Sequence, residues 1–215
     1  MKKENFVYSL SFLIALLFCS SCATVSYSPK VSLDVSPEMI KKSLMVEKLK
    51  DVSPSPDKRN PFGGFSVTNN GALAGDLETE VTNAIITDFA NNGVFKQVSR
   101  KMEDPDIIMK GEIKRFMGKS SFTRFGKISL CTVVPIVTWY FGLPINKNSV
   151  DVDLTLSFFD KSGKLIGSYE GTYQYEIKYS MYTNNQLAVL SATNKGFSQV
   201  VGKIRNEIVA DKAKF

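Results

Sequence analysis

Histidine is absent from all 215 residues. That removes the commonest general base and the commonest transition-metal ligand together. Catalysis built on carboxylates or lysine stays open, on a narrower footing. Cysteine is scarce as well, with three in the chain: Cys19, Cys22 and Cys131. So few cysteines provide no disulfide framework, and the fold must be held by a hydrophobic core. Tryptophan occurs once, at Trp139. Long apolar runs number two, one at the N-terminus and one mid-chain, and neither reads as a clean spanning helix.

The first run belongs to an export signal. Lys2 and Lys3 precede an almost wholly apolar stretch, 6–18, followed by small residues at Ser20 and Ser21. This is the order of a secretory signal peptide, and the stretch falls short of the roughly 20 residues that a membrane-spanning helix needs. Cys19-Ser20-Ser21-Cys22-Ala23 resembles the lipobox of bacterial lipoproteins, with Cys19 where leucine is usual. Bulky Phe18 argues against Cys19 as the acylated residue. Residues 1–21 are therefore read as a signal peptide and Cys22 as the lipidation site. Cleavage there removes Lys2, Lys3 and Glu4 and lowers the formal charge from +6 to +5. Residues 22–42 read as a lipidated N-terminus and tether, with Val31, Leu33 and Val35 alternating as in a short strand. Residues 43–215 are long enough for a single domain with a sizeable core.

Within that domain the hydrophobic periods predict alternating element types. A strand is expected over 43–50, then a turn-rich loop with Pro54, Pro56, Pro61, Gly63 and Gly64. Leu73, Leu77, Val81, Ile85 and Phe89 recur every four residues and predict a helix over 72–92, with Asp76, Glu78, Glu80 and Asp88 off the stripe. Asn92-Gly93 stops it. Strands follow at 94–99 and 106–117. Between 150 and 158 apolar and polar residues alternate strictly, which implies one buried and one wet face. Gly163 suits the tight reversal after it, and Tyr169, Gly171, Tyr173, Tyr175, Ile177 and Tyr179 continue the same period on the returning strand. Leu187, Leu190, Phe197, Val201, Ile204 and Ile208 mark a closing helix, which begins near Asn184 or only after Ser191 because Gly196 weakens its middle. The fold class is α+β: a small, largely antiparallel sheet with two helices on one face and an apolar insertion between strands.

With these features in place the chain resembles the YajG-like family of small outer-membrane lipoproteins. The lipobox at Cys22, the helix ending in Asn92-Gly93, the strand from Asp106 to Ile113, the Gly163 hairpin and Ala192-Thr193-Asn194-Lys195 carry the resemblance. It covers roughly residues 43–210 and implies an α+β build, an envelope location and no enzymatic activity.

The insertion, 127–147, is the segment that a plain domain does not explain. From Ile128 to Asn146 nineteen residues carry no charge, and Pro135, Gly142 and Pro144 interrupt any helix. It either folds over the domain as extra core or forms an exposed contact loop with Trp139, Tyr140 and Phe141 at its tip, aromatics that favour bilayer and protein interfaces alike. Other candidates are weaker. Asp151 and Asp153 share a strand face and suggest cation binding at most, Glu78 and Glu80 do not share a helix face, and Phe62-Gly63-Gly64-Phe65 lacks the context of a phosphate loop. No catalytic residue, metal or cofactor is assigned, and nucleic acid is not an expected partner. The expectation is a periplasm-facing outer-membrane lipoprotein, held by acylated Cys22, that serves as a non-catalytic accessory or scaffold with an envelope protein partner. Two alternatives are a pore or secretion component using 119–148 as a membrane hairpin, and an envelope-polymer enzyme based on carboxylates.

Overall fold

The computed structural model describes residues 28–30, 33, 39–54, 65–66, 75–124, 126–127, 140–180 and 185–215. Its elements are β1 (Ile40–Val46), β2 (Lys50–Asp51), β3 (Phe65–Ser66), α1 (Leu77–Asn91), β4 (Phe95–Ser99), β5 (Ile107–Phe122), β6 (Asn146–Asp160), β7 (Leu165–Tyr179) and α2 (Asn185–Ala210). The strands make one mixed sheet in the order β4-β1-β5-β6-β7, with β2 and β3 also on β5.

The three long strands pair antiparallel, Ile107 opposite Asp160 at one end and Phe122 opposite Asn146 at the other. The β6–β7 reversal works as its sequence suggests. Gly163 takes φ +82°, which favours glycine, and Asp160 Oδ1 accepts from the Ser162 and Lys164 backbone N–H groups at 2.8 and 2.9 Å. The other half of the sheet is parallel: β1 runs parallel to both β4 and β5. Parallel neighbours need a crossover, and α1 supplies it between β1 and β4. The α+β class stands, and the parallel half is what alternation alone did not reveal.

Every second residue of β6 from Val150 to Phe158 is buried, as are Ile107, Met109, Ile113 and Phe116 of β5. Both helices lie on this face. From α1 come Val81, Ala84, Ile85 and Phe89, and from α2 come Leu190, Phe197, Val201, Ile204 and Ile208. Leu187, expected on the stripe, is exposed, because the first turn of α2 lies beyond the apolar part of the sheet. There the inward positions of β6 turn polar, as buried Asn148 and Asn146. At the opposite end Phe215 packs edge-on against Phe95 and Phe158 and closes the core with the C-terminus.

Element ends differ from expectation for local reasons. Helix α1 starts at Leu77, later than 72, since Gly75 and the extended Asp76 precede it. It ends as read: Gly93 at φ 64° lets the Val94 N–H return to the Phe89 carbonyl at 3.0 Å. Helix α2 runs unbroken from Asn185 through Gly196. That glycine is a site of close approach, since a Cβ there would lie 2.5 Å from Tyr173 Cδ1. Strand β5 continues past Met117 to Phe122 and β6 begins at Asn146, so the sheet reaches to the neck of the insertion. The strand anticipated around Leu33 falls mostly outside the described residues.

Two charged residues are also part of the interior. Asp88 and Arg205 are buried, and Arg205 Nη1 lies 2.8 Å from Asp88 Oδ1, across from α2 to α1. Asn92 Nδ2 donates to the same oxygen at 2.9 Å. Asp88, read as lying off the apolar stripe, is thus an inward residue whose charge is matched by the other helix.

Ile85 and Leu154 both have zero exposure, one on each side of the helix–sheet interface. Truncating either to alanine is expected to cost about 2–5 kcal/mol in chemical denaturation. Losses below about 0.5 kcal/mol at both positions would contradict this packing.

Candidate functional site

Three regions bear on function: the tether, the insertion neck and the outer face of the sheet. Cys22 lies outside the described residues, and the nearest described stretch is 28–30. This stretch is seated on the helical layer. Pro29 is buried, and the Lys30 backbone N–H donates to Asn194 Oδ1 of α2 at 3.0 Å. Along α1 the stretch borders a cleft of about 400 Å³, lined also by Asn83, Thr87 and Asn91. The tether therefore meets the domain at a defined place, residues 28–30.

The insertion leaves the sheet through a pinned neck. The Thr123 N–H donates to the Ile145 carbonyl at 2.8 Å, and the Thr123 hydroxyl accepts the Gly126 N–H at 2.9 Å. Gly126 passes so close that a Cβ there would sit 2.2 Å from the Ile145 carbonyl oxygen, which restricts the position to glycine. Past this neck Tyr140 and Phe141 are 83% and 69% exposed, their rings edge-to-face at 5.4 Å. Leu143 is exposed beside them. Of the three aromatics expected at a contact tip, Tyr140 and Phe141 are on the surface, and Trp139 lies outside the described residues. Neither described ring is core.

Cations surround that neck, a feature the uncharged run had hidden because they come from its flanks and from β7. Arg124, Lys127 and Lys178 are exposed, with no carboxylate partner among the described residues. Lys147 pairs with Glu176 at 2.7 Å. Arg124, Leu143, Lys147 and Lys178, together with Glu176, line a cleft of about 560 Å³.

The outer face of the sheet is less wet than alternation implied. Asp151 is buried, its Oδ2 2.5 Å from Arg115 Nη1 and 3.5 Å from Gln174 Nε2. Asp153 sits two residues on, between β5 and β7. Burial pushes its carboxyl above the usual carboxylate range, with Lys114 pulling the other way. One carboxylate is thus committed to a guanidinium while burial makes ionisation of its neighbour less favourable. Among the described residues no group of three potential ligands gathers to hold a metal ion. Two tyrosines of β7 are packing residues: Tyr169 lies in the core, where burial and Asp211 raise its hydroxyl to about 12, and Tyr173 packs against the core, while Tyr175 is exposed. Glu78 serves structure, accepting from the Asp51 N–H at 3.0 Å and pairing with Lys48. Of Phe62-Gly63-Gly64-Phe65, only the Phe65 backbone, in β3, is described.

No protein-family model matches the sequence, and no curated protein does. Among solved structures, the chain is similar to a Xanthomonas campestris protein of the DUF330 family, with TM-score 0.54, 12% identity and 88% of this chain and 98% of that one covered. The likeness is one of fold. Looser ones are to a PelC dodecamer from Paraburkholderia phytofirmans (TM-score 0.39, 10% identity, 84% and 93% covered) and to a minor lipoprotein from Acinetobacter baumannii (0.38, 12%, 80% and 95%). Neither of these two supports a conclusion about this chain.

The Asp153 environment gives a pH test. With its folded-state pKa above the ordinary 3.8 of an aspartate, the folded chain holds an extra proton between the two values. This contribution to stability is present below 3.8 and is lost as pH rises through the raised value. Asp153→Asn should therefore flatten the stability profile between 3.8 and the raised value and be no less stable than the parent at neutral pH, read by thermal melting across pH. A variant that melts lower at neutral pH would show that the carboxylate itself is a needed partner.

Proposed function

We propose that the chain is a YajG-like envelope lipoprotein, anchored by acyl chains on Cys22 and acting by binding as an accessory or scaffold in envelope assembly or transport. The observation that carries this reading is the sequence of residue types at the N-terminus: basic start, apolar run of 6–18, then Ser20-Ser21-Cys22-Ala23. Ala23 follows the acylated cysteine, where an aspartate commonly retains such proteins at the inner membrane, so the outer membrane is the proposed site, with the domain facing the periplasm.

Binding is favoured over catalysis by where the chemistry-bearing groups stand. Asp151, Glu78 and Asp76 are engaged by Arg115, the Asp51 N–H and Lys48, while the apolar groups at the neck face outward. A domain whose carboxylates hold its own framework and whose aromatics are presented is arranged for contact.

Cys22→Ser should abolish acylation and release the chain from membranes, read by fractionation in salt strong enough to strip basic peripheral proteins. Cys19→Ser should change nothing. Persistent membrane association of the Cys22→Ser chain under those conditions would overturn the anchor.

A further inference from the structure

Resting on the lipid-anchored reading, we infer that the insertion neck is a second membrane contact: Tyr140, Phe141 and Leu143 enter the interfacial region of an anionic bilayer while Arg124, Lys127 and Lys178 meet its headgroups.

Charge is the first argument for a lipid occupant. Apolar and aromatic groups at a tip, backed by cations without carboxylate partners among the described residues, match a surface that is negative outside and apolar just beneath. Each such cation near an anionic leaflet contributes attraction that fades within a Debye length. A purely apolar protein groove would satisfy the aromatics but gives no reason for three cations without carboxylate partners among the described residues to converge there from two segments (Arg124 and Lys127 before the insertion, Lys178 on β7).

The reach of the tether is the second argument. Asn194, which holds Lys30, lies one helical turn before Phe197, whose ring meets Phe116 at 5.9 Å. Phe116 pairs with Val152, and β6 reaches the neck at Asn146, about 20 Å along the strand from there. From Lys30 back to Cys22 the chain spans at most roughly 29 Å when extended. The acylated cysteine can thus reach the level of the neck from which the tip projects. Acyl chains on one residue hold the chain to the membrane but leave the domain free to turn on its tether, and a second contact would fix its orientation. With two points on one membrane the domain no longer swivels on its tether, and its Gly163 turn points away.

The test uses the full, processed and acylated chain carrying Cys131→Ser and Leu143→Cys, labelled at residue 143 with an environment-sensitive dye. A companion carries the label through Lys161→Cys at the far turn. Both are reconstituted in vesicles of phosphatidylcholine alone or with phosphatidylglycerol. In the anionic vesicles the label at 143 should brighten several-fold and be quenched by a lipid-borne quencher, while the label at 161 stays water-like. Arg124→Glu with Lys178→Glu, or Tyr140→Ser with Phe141→Ser, should remove most of that signal with the thermal midpoint unchanged. A water-like label at 143 on a chain still held by its acyl groups would overturn the second contact and leave the anchor standing. Equal insertion into neutral vesicles would overturn the assignment to anionic headgroups. Failure of the chain to associate with either vesicle would overturn anchor and contact together.

Discussion

A buried ion pair holds the helical layer of this domain together. Arg205 of α2 and Asp88 of α1 meet at 2.8 Å with almost no solvent exposure, and Asn92 donates to the same carboxylate oxygen. Taking two charges out of water is costly, and the mutual attraction offsets that cost only with good geometry and further hydrogen bonds. Once formed, the pair tolerates little sliding, since any shift leaves a charge unpaired in a low-dielectric interior. Helices α1 and α2 therefore behave as one layer, and α1 is also the crossover that sets β4 parallel to β1. The place where Pro29 and Lys30 meet the domain, between Asn194 of α2 and the outer side of α1, inherits its definition from this contact.

The domain is polar along its long strands. At one end the Gly163 turn and Phe215 close the core with aromatic packing. At the other the inward side of β6 changes from valine and leucine to asparagine, the insertion leaves through the Thr123–Ile145 neck, and exposed aromatics stand among cations. One end is sealed and the other presents groups for contact. On the proposed N-terminal anchor, that asymmetry is the most direct link between fold and function.

Much of this was legible in the residues. The β6–β7 hairpin was readable because a half-buried antiparallel strand must alternate, and Gly163 and Gly93 were readable because their backbones occupy the left-handed region. The α2 stripe showed through Gly196, although the reason for glycine there, the ring of Tyr173, is a tertiary contact. Three features were hidden. Parallel pairing of β1 leaves no local mark, since it is decided by where α1 crosses. Arg205 beside Ile204 on an apolar stripe was the available signal for a buried pair, but only the spatial meeting of two helices identifies Asp88 as its partner. Asp151, expected in water, is covered by Arg115 and Gln174 from adjacent strands, which period-two patterning does not register. The aromatic cluster at Tyr140 and Phe141 was legible in composition, and the cations near it were not, because they come from outside the uncharged run.

The most direct measurement of the central claim is a double-mutant cycle on the interhelical pair, with Arg205→Met and Asp88→Leu followed by chemical denaturation. Each single change should destabilise by about 3–5 kcal/mol, because it strands a buried charge, and the double variant should lose far less than the sum. Additive losses, or single-variant losses below about 0.5 kcal/mol, would show that the helical layer does not depend on this pair.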